Sequence, residues 1–313
     1  MPSDRPPDTL DGTIVVAGEA LIDLVLARDG SLDGHPGGGP YTVARTIGRL
    51  EQPVAYLGRV SSDGFGRRLL QELEADGVGL ESIVATDAPT TLALAELDSA
   101  GAARYEFYDA GTSAPGLTLE AASAAFPERV GVFYLGTLGL VFEPMATTLE
   151  ALVARIGDDT LVALDPNCRP TTIADAAAFR GRLSRLLART DVLKASEEDL
   201  AWIEPGADPV SAARGLLARD DAVALVTLGG DGALAITAEE TIPVHAPPVD
   251  VVDTIGAGDA FMGAFLARWR ARGLGRSDLR RLDELAHAAT FACRVAAITC
   301  SRAGADPPRL TEL

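Results

Sequence analysis

The fold is decided by the stretch Val252-Asp253-Thr254-Ile255-Gly256-Ala257-Gly258-Asp259-Ala260-Phe261-Met262-Gly263. It predicts a strand that ends near Val252 and a helix that begins near Gly258, with a Gly-x-Gly turn between them. Glycine permits a positive φ, so successive N–H groups at the helix N-terminus point outward and can bind an anion. Because Asp259 lies in this turn, the stretch predicts an anion site beside a carboxylate.

Two other interpretations of the turn come from the same residues. Asp259 could simply cap the helix, since the helix dipole favours an acid in the first turn. A dinucleotide-binding fingerprint would need a third glycine where Phe261 stands, and it would lie in an N-terminal βαβ unit. A NAD-dependent dehydrogenase is therefore disfavoured.

Short apolar runs alternate with longer amphipathic segments along the chain. Two-sided apolar runs are typical of parallel strands covered by helices, and they predict strands over 13–17, 54–60, 132–136, 160–165, 191–194 and 222–228. Helices are predicted over 41–50, 64–76, 144–156, 174–190, 258–272 and 277–297. This alternation predicts an α/β fold with a doubly wound, mostly parallel sheet flanked by helices. The sequence shows no interdomain linker, so we expect a single domain over residues 1–313.

Two segments break the alternation of strand and helix. Residues 21–26 and 91–108 read as strands without an intervening helix, and the second pair turns at 98–101. They predict a small β lid built from segments of about 21–36 and 91–112. A hairpin packed on the edge of the main sheet is the alternative.

Composition excludes several classes of protein. The 313 residues carry a formal net charge of −18, which argues against a protein that binds the phosphate backbone of nucleic acids. The one lysine, Lys194, does not lie in a Gly-Lys-Ser/Thr loop, so there is no P-loop. The three cysteines show no CxxC spacing and fit a reduced compartment. No secretory signal and no membrane-spanning stretch is visible, and we expect a cytoplasmic protein.

Residues 253–261, DTIGAGDAF, resemble the C-terminal signature of the PfkB/ribokinase family of carbohydrate kinases. The resemblance runs along nearly the whole chain and implies a ribokinase-like fold with ATP as co-substrate and Mg²⁺ bridging its phosphates. It implies that Asp259 is the general base that accepts the proton of a sugar hydroxyl. It also implies that the amides of Gly256, Ala257 and Gly258 form an anion hole for the transferring phosphoryl group.

Further family motifs imply a sugar site. Asp23, in the stretch after the first strand, resembles the sugar-binding aspartate, whose carboxylate accepts hydrogens from two neighbouring hydroxyls. Gly38 and Gly39 resemble the N-terminal Gly-Gly signature, although Thr42 stands where the family has Asn. Gly39 is followed by proline instead of a lysine, as in the fructokinase-like branch, which implies an unphosphorylated sugar.

The lid and the Asp-Pro-Asn stretch are implied to contribute two more residues to this site, Phe107 and Arg169. Phe107 resembles the aromatic residue of a Phe-Tyr-Arg run in fructokinase and 2-keto-3-deoxygluconate kinase, but Asp109 replaces the arginine. An acid at this position would repel the carboxylate of a sugar acid. Arg169, which follows Asp-Pro-Asn, is implied to lie near the substrate or the phosphate.

The nucleotide side of the site is implied by motifs later in the chain. The implied ATP-binding residues are Lys194, Ser196, Thr227, Gly229, Gly232, Gly258 and Cys293, where Cys293 replaces a family Asn. Asp199 resembles the acid of the Asn-x-x-Glu element that organises Mg²⁺ through water. Asp253 is implied to lie near a monovalent cation such as K⁺. Without the family, Ser196 reads equally well as an N-cap, and the glycines as a hairpin turn.

The sequence thus predicts an ATP-dependent kinase of an unphosphorylated, fructose-like sugar. The alternatives are a nucleoside kinase of the same fold and a non-catalytic sugar- or nucleotide-binding protein. We expect small-molecule partners, neither nucleic acid nor membrane, and a homodimer formed through the lid. The motifs do not name the sugar or the hydroxyl that is phosphorylated.

Overall fold

Two β-sheets and a set of flanking helices make up the computed structural model, which describes residues 12–26, 30–97 and 103–313. The strands are β1 (Thr13–Ala17), β2 (Leu21–Leu26), β3 (Leu32–Gly37), β4 (Val54–Ser61), β5 (Ile83–Thr86), β6 (Leu92–Leu97), β7 (Ala103–Tyr108), β8 (Val130–Gly136), β9 (Leu161–Asp165), β10 (Val192–Ser196), β11 (Val223–Thr227), β12 (Ala233–Ile236) and β13 (Thr241–Val244). The α-helices are α1 (Gly39–Arg49), α2 (Gly64–Ala75), α3 (Leu119–Ala125), α4 (Met145–Val153), α5 (Ala176–Leu187), α6 (Glu197–Ile203), α7 (Pro209–Leu216), α8 (Ala257–Ala271) and α9 (Leu282–Cys300). Short 3-10 turns occupy Ala114–Gly116, Thr137–Leu140, Gly229–Asp231, Arg276–Arg280 and Leu310–Glu312.

The large sheet has the strand order β13-β12-β11-β10-β9-β8-β1-β4-β5. Its neighbouring strands pair in parallel, except where β12 pairs antiparallel with β11 and with β13. From β1 the chain builds outward to β4 and β5 on one side, and later from β8 to β11 on the other. The pair β1–β8 is therefore a topological switch point, and ligands of open α/β sheets bind beyond the carboxyl ends of the strands at such a point.

The small sheet has the order β3-β2-β6-β7 and is formed by the two segments that the sequence assigns to a lid. The pairs β2–β3 and β6–β7 are antiparallel, while β2 and β6 pair in parallel. The predicted turn at 98–101 lies outside the described residues. Only residues 18–20 separate β1 from β2, so the small sheet begins directly at the switch point of the large one.

Apolar side chains cover both faces of the large sheet. Along β1, Ile14 and Val16 belong to one buried cluster, which includes residues of α1, α8 and α9. Val15 and Ala17 belong to a second cluster, which includes residues of α4 and α5. Because strand residues alternate between the faces, this division confirms the predicted parallel sheet with helices on both sides.

Each predicted strand and helix has an observed counterpart whose ends differ by a few residues, with one exception. No strand ends near Val252, because β13 ends at Val244 and residues 245–256 form a loop. The prediction was wrong because the valines of this loop are exposed, with Val251 63% and Val252 64% accessible. Pro247 and Pro248 also lack the N–H groups that a strand needs.

Across the described residues, no helix combines the length and the apolar character that crossing a bilayer requires.

Candidate active site

A cavity of about 810 Å³ lies beyond the carboxyl ends of the central strands, at the switch point of the large sheet. The strand ends adjoin one another because the register pairs Ala17 with Leu135 and Gly136 with Asp165. The predicted residues that line the cavity are Asp23, Gly38, Gly39, Thr42, Phe107, Arg169, Lys194, Gly256, Gly258 and Asp259. The fold thus brings together motifs from both ends of the chain.

The first turn of α8 forms one side of this cavity. Gly256 is the N-cap with φ 74°, a left-handed conformation that favours glycine. The N–H of Ala257 donates to the Thr254 carbonyl at 3.3 Å, while the N–H groups of Gly258 and Asp259 have no backbone acceptor among the described residues. These groups and the positive end of the helix dipole can hold an anion that enters the cavity.

The carboxylate of Asp259 is buried where this turn meets the cavity. Within the part of the chain that the structure describes, its Oδ1 atom has no hydrogen-bond partner. Burial raises the pKa of Asp259, and the positive charges of Lys194 and Arg169 oppose that rise. A buried acceptor without a donor is costly, so this atom is suited to receive a proton from a bound molecule.

Lys194 brings a buried positive charge to the same turn. Its side chain is 4% exposed, and its Nζ atom lies 2.9 Å from Oδ2 of Asp165 at the end of β9. Burial acts to lower the pKa of Lys194, but the carboxylates of Asp165, Asp199 and Asp259 outweigh it and raise the pKa. A Cβ atom on Gly258 would lie 2.8 Å from Nζ, so the ammonium group is in contact with the helix terminus.

The small sheet and the start of α1 form the opposite wall. Asp23 of β2 lines the cavity, and burial together with the charge of Asp259 raises its pKa to about 6. Thr42 is buried, and its methyl group would lie 3.4 Å from a Cβ atom on Gly256. Phe107 of β7 lines the cavity and packs edge-on against Phe142. These residues surround the space with hydroxyl, carboxylate and aromatic groups.

Arg169 lies at the rim of the cavity with an exposed side chain. Its Nη1 atom donates to the side-chain oxygen of Asn167 at 2.6 Å. Asn167 also lines the cavity and has a φ of 36°. The Asp-Pro-Asn stretch thus turns sharply at the end of β9 and presents the guanidinium group to the open side.

Glu19, which the sequence analysis did not select, is a buried carboxylate in the wall of the cavity. It accepts hydrogen bonds from the Thr137 hydroxyl, from the N–H of Gly39 at 3.2 Å and from the N–H of Gly139 at 3.0 Å. Burial raises the pKa of Glu19 to about 7. The available signal was its place four residues before Asp23, at the end of the first strand.

Four of the predicted ATP-binding residues do not line the cavity but lie beside it, where the strands β10 and β11 end. Ser196 pairs with Thr227 across these strands. Gly229 and Gly232 follow in the next turn, and both have a positive φ. A Cβ atom on Gly232 would lie 2.1 Å from the carbonyl oxygen of Val244, so packing alone requires a glycine there. A nucleotide that extends from the cavity along this edge would pass these residues.

Asp199 and Asp253, the two predicted cation-associated acids, both hold the backbone in place. Asp199 accepts bonds from the N–H and hydroxyl groups of Ser196 on Oδ2 and from the Cys168 N–H on Oδ1. Asp253 accepts bonds from the N–H groups of Ile255 and Gly304. Among the described residues, the Cys168 N–H is the one donor to Oδ1 of Asp199, which leaves this oxygen a second lone pair.

The described residues contain no group of three His, Cys, Asp or Glu side chains that could hold a metal ion. A Mg²⁺ ion that takes most of its ligands from phosphates and water does not require such a group.

Cys293, predicted on the adenine side, belongs to the buried apolar cluster around α8 and α9. Burial raises the pKa of its thiol to about 11. The thiol therefore stays neutral and packs as an apolar group.

A second cavity of about 960 Å³ adjoins the first one, and both are lined by Phe107 and Thr171. Glu106 and Asp109 of the small-sheet segment line it, together with Glu143 and Arg182 from the opposite side. Arg182 is already paired with Glu143. The charged residues that line the second cavity are thus four acids, Glu106, Asp109, Glu143 and Asp175, and two arginines, Arg182 and Arg185.

The chain is similar to known proteins over nearly its whole length. A family model described as "pfkB family carbohydrate kinase" matches residues 11–312. A fructokinase of Rhizobium leguminosarum bv. trifolii is 33% identical over 282 residues, covering 87% of this chain and 85% of that protein. The structure of a fructokinase with bound ATP from Xylella fastidiosa matches with a TM-score of 0.87 at 27% identity and covers 96% of both chains. An aminoimidazole riboside kinase from Salmonella enterica, solved with aminoimidazole riboside and an ATP analogue, has a TM-score of 0.81 at 26% identity and covers 94% of this chain and 95% of that one.

Proposed function

Because the chain belongs to the pfkB family of carbohydrate kinases, we propose that it transfers the γ-phosphoryl group of ATP to a hydroxyl of an unphosphorylated, fructose-like sugar. That it is a carbohydrate kinase, a phosphotransferase with an alcohol acceptor, follows from the family. The sugar, the residues and their roles are our proposal. We further propose that residues 1–313 form one kinase domain and that it works in the cytoplasm, where its three free cysteines stay reduced.

The observation that carries the mechanism is the buried Oδ1 atom of Asp259, which faces the cavity without a donor among the described residues. In the proposed reaction, the sugar hydroxyl donates its proton to this atom while its oxygen attacks the γ-phosphorus. The bond between that phosphorus and the β–γ bridging oxygen breaks, and ADP leaves with the electron pair. Lys194 and Arg169 favour the ionised form of Asp259 that can accept the proton.

The amides of Gly256, Ala257 and Gly258 stabilise the charge on the transferring phosphoryl group. They are fixed by the helix before the reaction begins, so little reorganisation is needed when charge develops. Lys194 Nζ contributes a positive charge beside Gly258. Ser196, Thr227, Gly229 and Gly232 bind the rest of the nucleotide along the neighbouring strand ends.

Two cations belong to this proposal. When bound, Mg²⁺ would supply positive charge at the ATP phosphates, and Asp199 would help to hold it through water. Asp253 fixes the loop before α8 against Gly304, and a K⁺ ion beside this loop would strengthen the anion hole.

The charges around the cavity support an uncharged sugar as substrate. Asp23 and Asp259 offer acceptors to hydroxyl hydrogens, and Gly38 and Gly39 let the backbone approach the ring. Asp109, in the adjoining cavity, would repel a sugar acid. Arg169 is the positively charged group at the rim that remains for the phosphate.

A coupled assay of ADP release tests the proposal, with hexoses, pentoses, sugar acids and nucleosides as acceptors. We expect turnover with fructose or a similar ketose, and a loss of at least about 10³-fold in kcat for Asp259→Asn with the sugar KM little changed. An Asp259→Asn variant that turned over as fast as the wild type would show that Asp259 is not the base. A wild type that released no ADP with any acceptor would be a binding protein.

The second candidate is a nucleoside kinase of the same fold. The observation that favours it is the adjoining 960 Å³ cavity, which leaves room for a base beyond the sugar. The same assay separates the two, because a nucleoside kinase would prefer ribosides to free ketoses by kcat/KM.

We propose in addition that the small sheet closes over the sugar and pairs two subunits. Leu32 of β3 and Tyr108 of β7, on the two opposite edge strands of this sheet, are 54% and 50% exposed, and exposed apolar side chains suit a contact between copies. Sedimentation of the wild type and of a Leu32→Glu, Tyr108→Glu variant tests this, and two monomeric samples would overturn it.

A further inference from the structure

Glu19 occupies the switch point of the large sheet. It follows β1, which pairs with β8, and the residues after β8 supply two of its three hydrogen-bond donors. Its side chain is buried and lines the first cavity, where the sugar is proposed to bind, yet the proposed reaction gives it no role. A buried acid that binds three separate donors needs an explanation, because desolvation of a carboxylate is costly unless the structure uses it.

The three donors belong to the two segments that form the wall of the cavity. Gly39 is the first residue of α1, and Thr137 and Gly139 belong to the 3-10 turn after β8. Thr137 has a φ of 54°, a strained conformation for a β-branched residue. The bond to Glu19 helps to hold it there.

These segments are packed closely enough for a small shift to reach Asp259. A Cβ atom on Gly39 would lie 2.4 Å from the methyl carbon of Thr137 and 3.0 Å from Oδ1 of Asp259. A Cβ atom on Gly38 would lie 2.5 Å from the carbonyl oxygen of Glu19. The Glu19 carboxylate therefore fixes the distance between the Gly-Gly loop and the 3-10 turn, and with it the width of the site at the proposed base.

We propose that Glu19 is a positioning residue of the kinase, which acts through Gly39 and Thr137 to set the sugar-binding wall opposite Asp259. This inference rests on the proposed function, since it assigns a role in binding the sugar that is phosphorylated. Glu19 contacts neither the reacting hydroxyl nor the phosphate. Its effect falls on the affinity and orientation of the sugar, while ATP binds along the strand ends on the other side of α8.

The role requires the ionised form of Glu19. Three donors face two oxygens, and a protonated acid or an amide would replace one acceptor with a donor. The titratable groups that face Glu19 are Asp259 of α8, Tyr56 of β4 and Tyr134 of β8, and the charge of Glu19 helps to raise the pKa of both tyrosines, which stay neutral. Burial, with a smaller contribution from the charge of Asp259, raises the pKa of Glu19 to about 7. The sugar should therefore bind more weakly below about pH 7.

Glu19→Gln tests the proposal by separating the two Michaelis constants. The amide keeps the size of the side chain, but its NH₂ group faces one of the three donors and cannot accept a hydrogen bond from it. The sugar-binding wall should then shift, and the sugar KM should rise about tenfold. The KM for ATP should stay within about twofold. The part of the acid limb of kcat/KM for the sugar that is centred near pH 7 should disappear, leaving the part that Asp23 sets near pH 6. A merely structural role would lower the melting temperature without moving this limb.

A second pair of variants keeps the test decisive if Glu19→Gln does not fold. Thr137→Val removes the hydroxyl donor while keeping the β-branched shape at the same φ, and Thr137→Ser restores the hydroxyl. We expect the sugar KM to rise in the valine variant and to stay near the wild-type value in the serine variant.

Three results would overturn the proposal. They are a folded Glu19→Gln protein with an unchanged sugar KM and acid limb, an equal rise in both Michaelis constants, and valine and serine variants that behave alike. An active wild type with any of these results rejects the positioning role alone. A wild type that phosphorylates no acceptor rejects the proposed function as well.

Discussion

Glycine at position 258 allows the ammonium group of Lys194 to lie against the first turn of α8. The ammonium group forms an ion pair with Asp165, which is fully buried at the end of β9. A positive charge in this place is worth more than on the surface, because the surrounding apolar groups screen it less than water does. One buried lysine thus offsets the negative charge that ATP would bring to a strongly acidic protein.

Gly258→Ala should therefore lower kcat. The new Cβ atom would lie 2.8 Å from Nζ, and Lys194 must move away from the helix terminus to make room. We expect a loss of at least about tenfold in kcat, in the range seen when one donor of an anion hole is displaced, measured by ADP release at saturating sugar.

Gly215→Ala is the matched control, since no atom lies within 4 Å of its added Cβ. It lies inside α7, where alanine should increase the free energy of unfolding by up to about 1 kcal/mol and leave kcat unchanged. A wild-type kcat in Gly258→Ala would show that Lys194 is not needed at the helix terminus.

The acid at position 109 should set the preference between neutral sugars and sugar acids. Asp109 lines the adjoining cavity, and its charge repels a carboxylate that enters from the sugar site. The measured quantity is the ratio of kcat/KM for a 2-keto-3-deoxy sugar acid to kcat/KM for fructose. We expect Asp109→Asn to raise this ratio several-fold, because the substitution removes a repulsion of about 1 kcal/mol. Glu106→Gln, which also lines that cavity, is the control for a general charge effect. Equal ratios in Asp109→Asn and the wild type would remove Asp109 from specificity.

Asp259 and its glycines could be predicted from sequence because their chemistry is local. The turn, the helix start and the acid are consecutive residues, and a helix N-terminus binds anions in any fold. Glu19 could not be predicted in this way. Its donors Thr137 and Gly139 are 118 and 120 residues away, and only the pairing of β1 with β8 brings them together.

At the level of secondary-structure elements, a capping box joins β10 to α6 and to the loop after β9. The Ser196 hydroxyl accepts a bond from the Asp199 N–H, and the Asp199 carboxylate accepts the Ser196 N–H in return. The other oxygen of Asp199 accepts the Cys168 N–H at 2.6 Å. One side chain thus starts a helix and holds the loop that presents Arg169 to the cavity.

Asp199→Asn should therefore destabilise the fold. An amide cannot accept all three bonds, and the loss of a buried bond to a charged acceptor lowers the free energy of unfolding by about 2 kcal/mol. Urea unfolding followed by circular dichroism measures this. Glu198→Gln, an exposed acid in the same first turn, is the control and should stay within about 0.5 kcal/mol of the wild type. If both variants unfolded at the same urea concentration, the capping role would be wrong.

Strands could be predicted from sequence where both faces are apolar, and helices where apolar residues recur with the helical period. The runs over 54–60 and 222–228 are apolar on both faces and became β4 and β11. The valines of residues 249–252 carry the same composition but lie in an exposed loop, because they are not covered by a helix. Strand order could not be predicted, since it depends on contacts between strands and not on the pattern within any one of them.

At the scale of the whole molecule, the net charge of −18 is distributed unevenly. Outside the cavity, buried acids are paired with arginines, as Asp76 is with Arg45 and Arg49. Inside the cavity, Glu19 and Asp23 have no ion-pair partner among the described residues, and burial raises their pKa values. The site thus keeps acceptors for hydroxyl groups at a cost in stability, as functional sites commonly do.

The burial of these two carboxyl groups predicts an unusual dependence of stability on pH. The pKa of Glu19 rises from 4.5 to about 7 on folding, and that of Asp23 rises from 3.8 to about 6. Between about pH 4 and 7 the folded protein therefore holds protons that the unfolded chain has released. Stability falls with pH wherever the folded state binds more protons. The free energy of unfolding should thus decrease from pH 5 to pH 8, by up to about 3 kcal/mol for Glu19.

Urea unfolding of the ligand-free protein at pH 5, 6, 7 and 8 measures this slope. The double variant Glu19→Gln, Asp23→Asn should reduce the slope because neither amide titrates, while Asp165 and Asp191, whose pKa values are raised to about 7 and about 6, keep the remainder. The same substitutions should weaken sugar binding, since the ionised carboxylates accept hydrogen bonds from the sugar while the neutral groups stabilise the folded protein. Two results would contradict this prediction: a wild type that became more stable from pH 5 to pH 8, and a double variant with the wild-type slope. Either would mean that Glu19 and Asp23 do not lower the stability of the folded protein when they ionise.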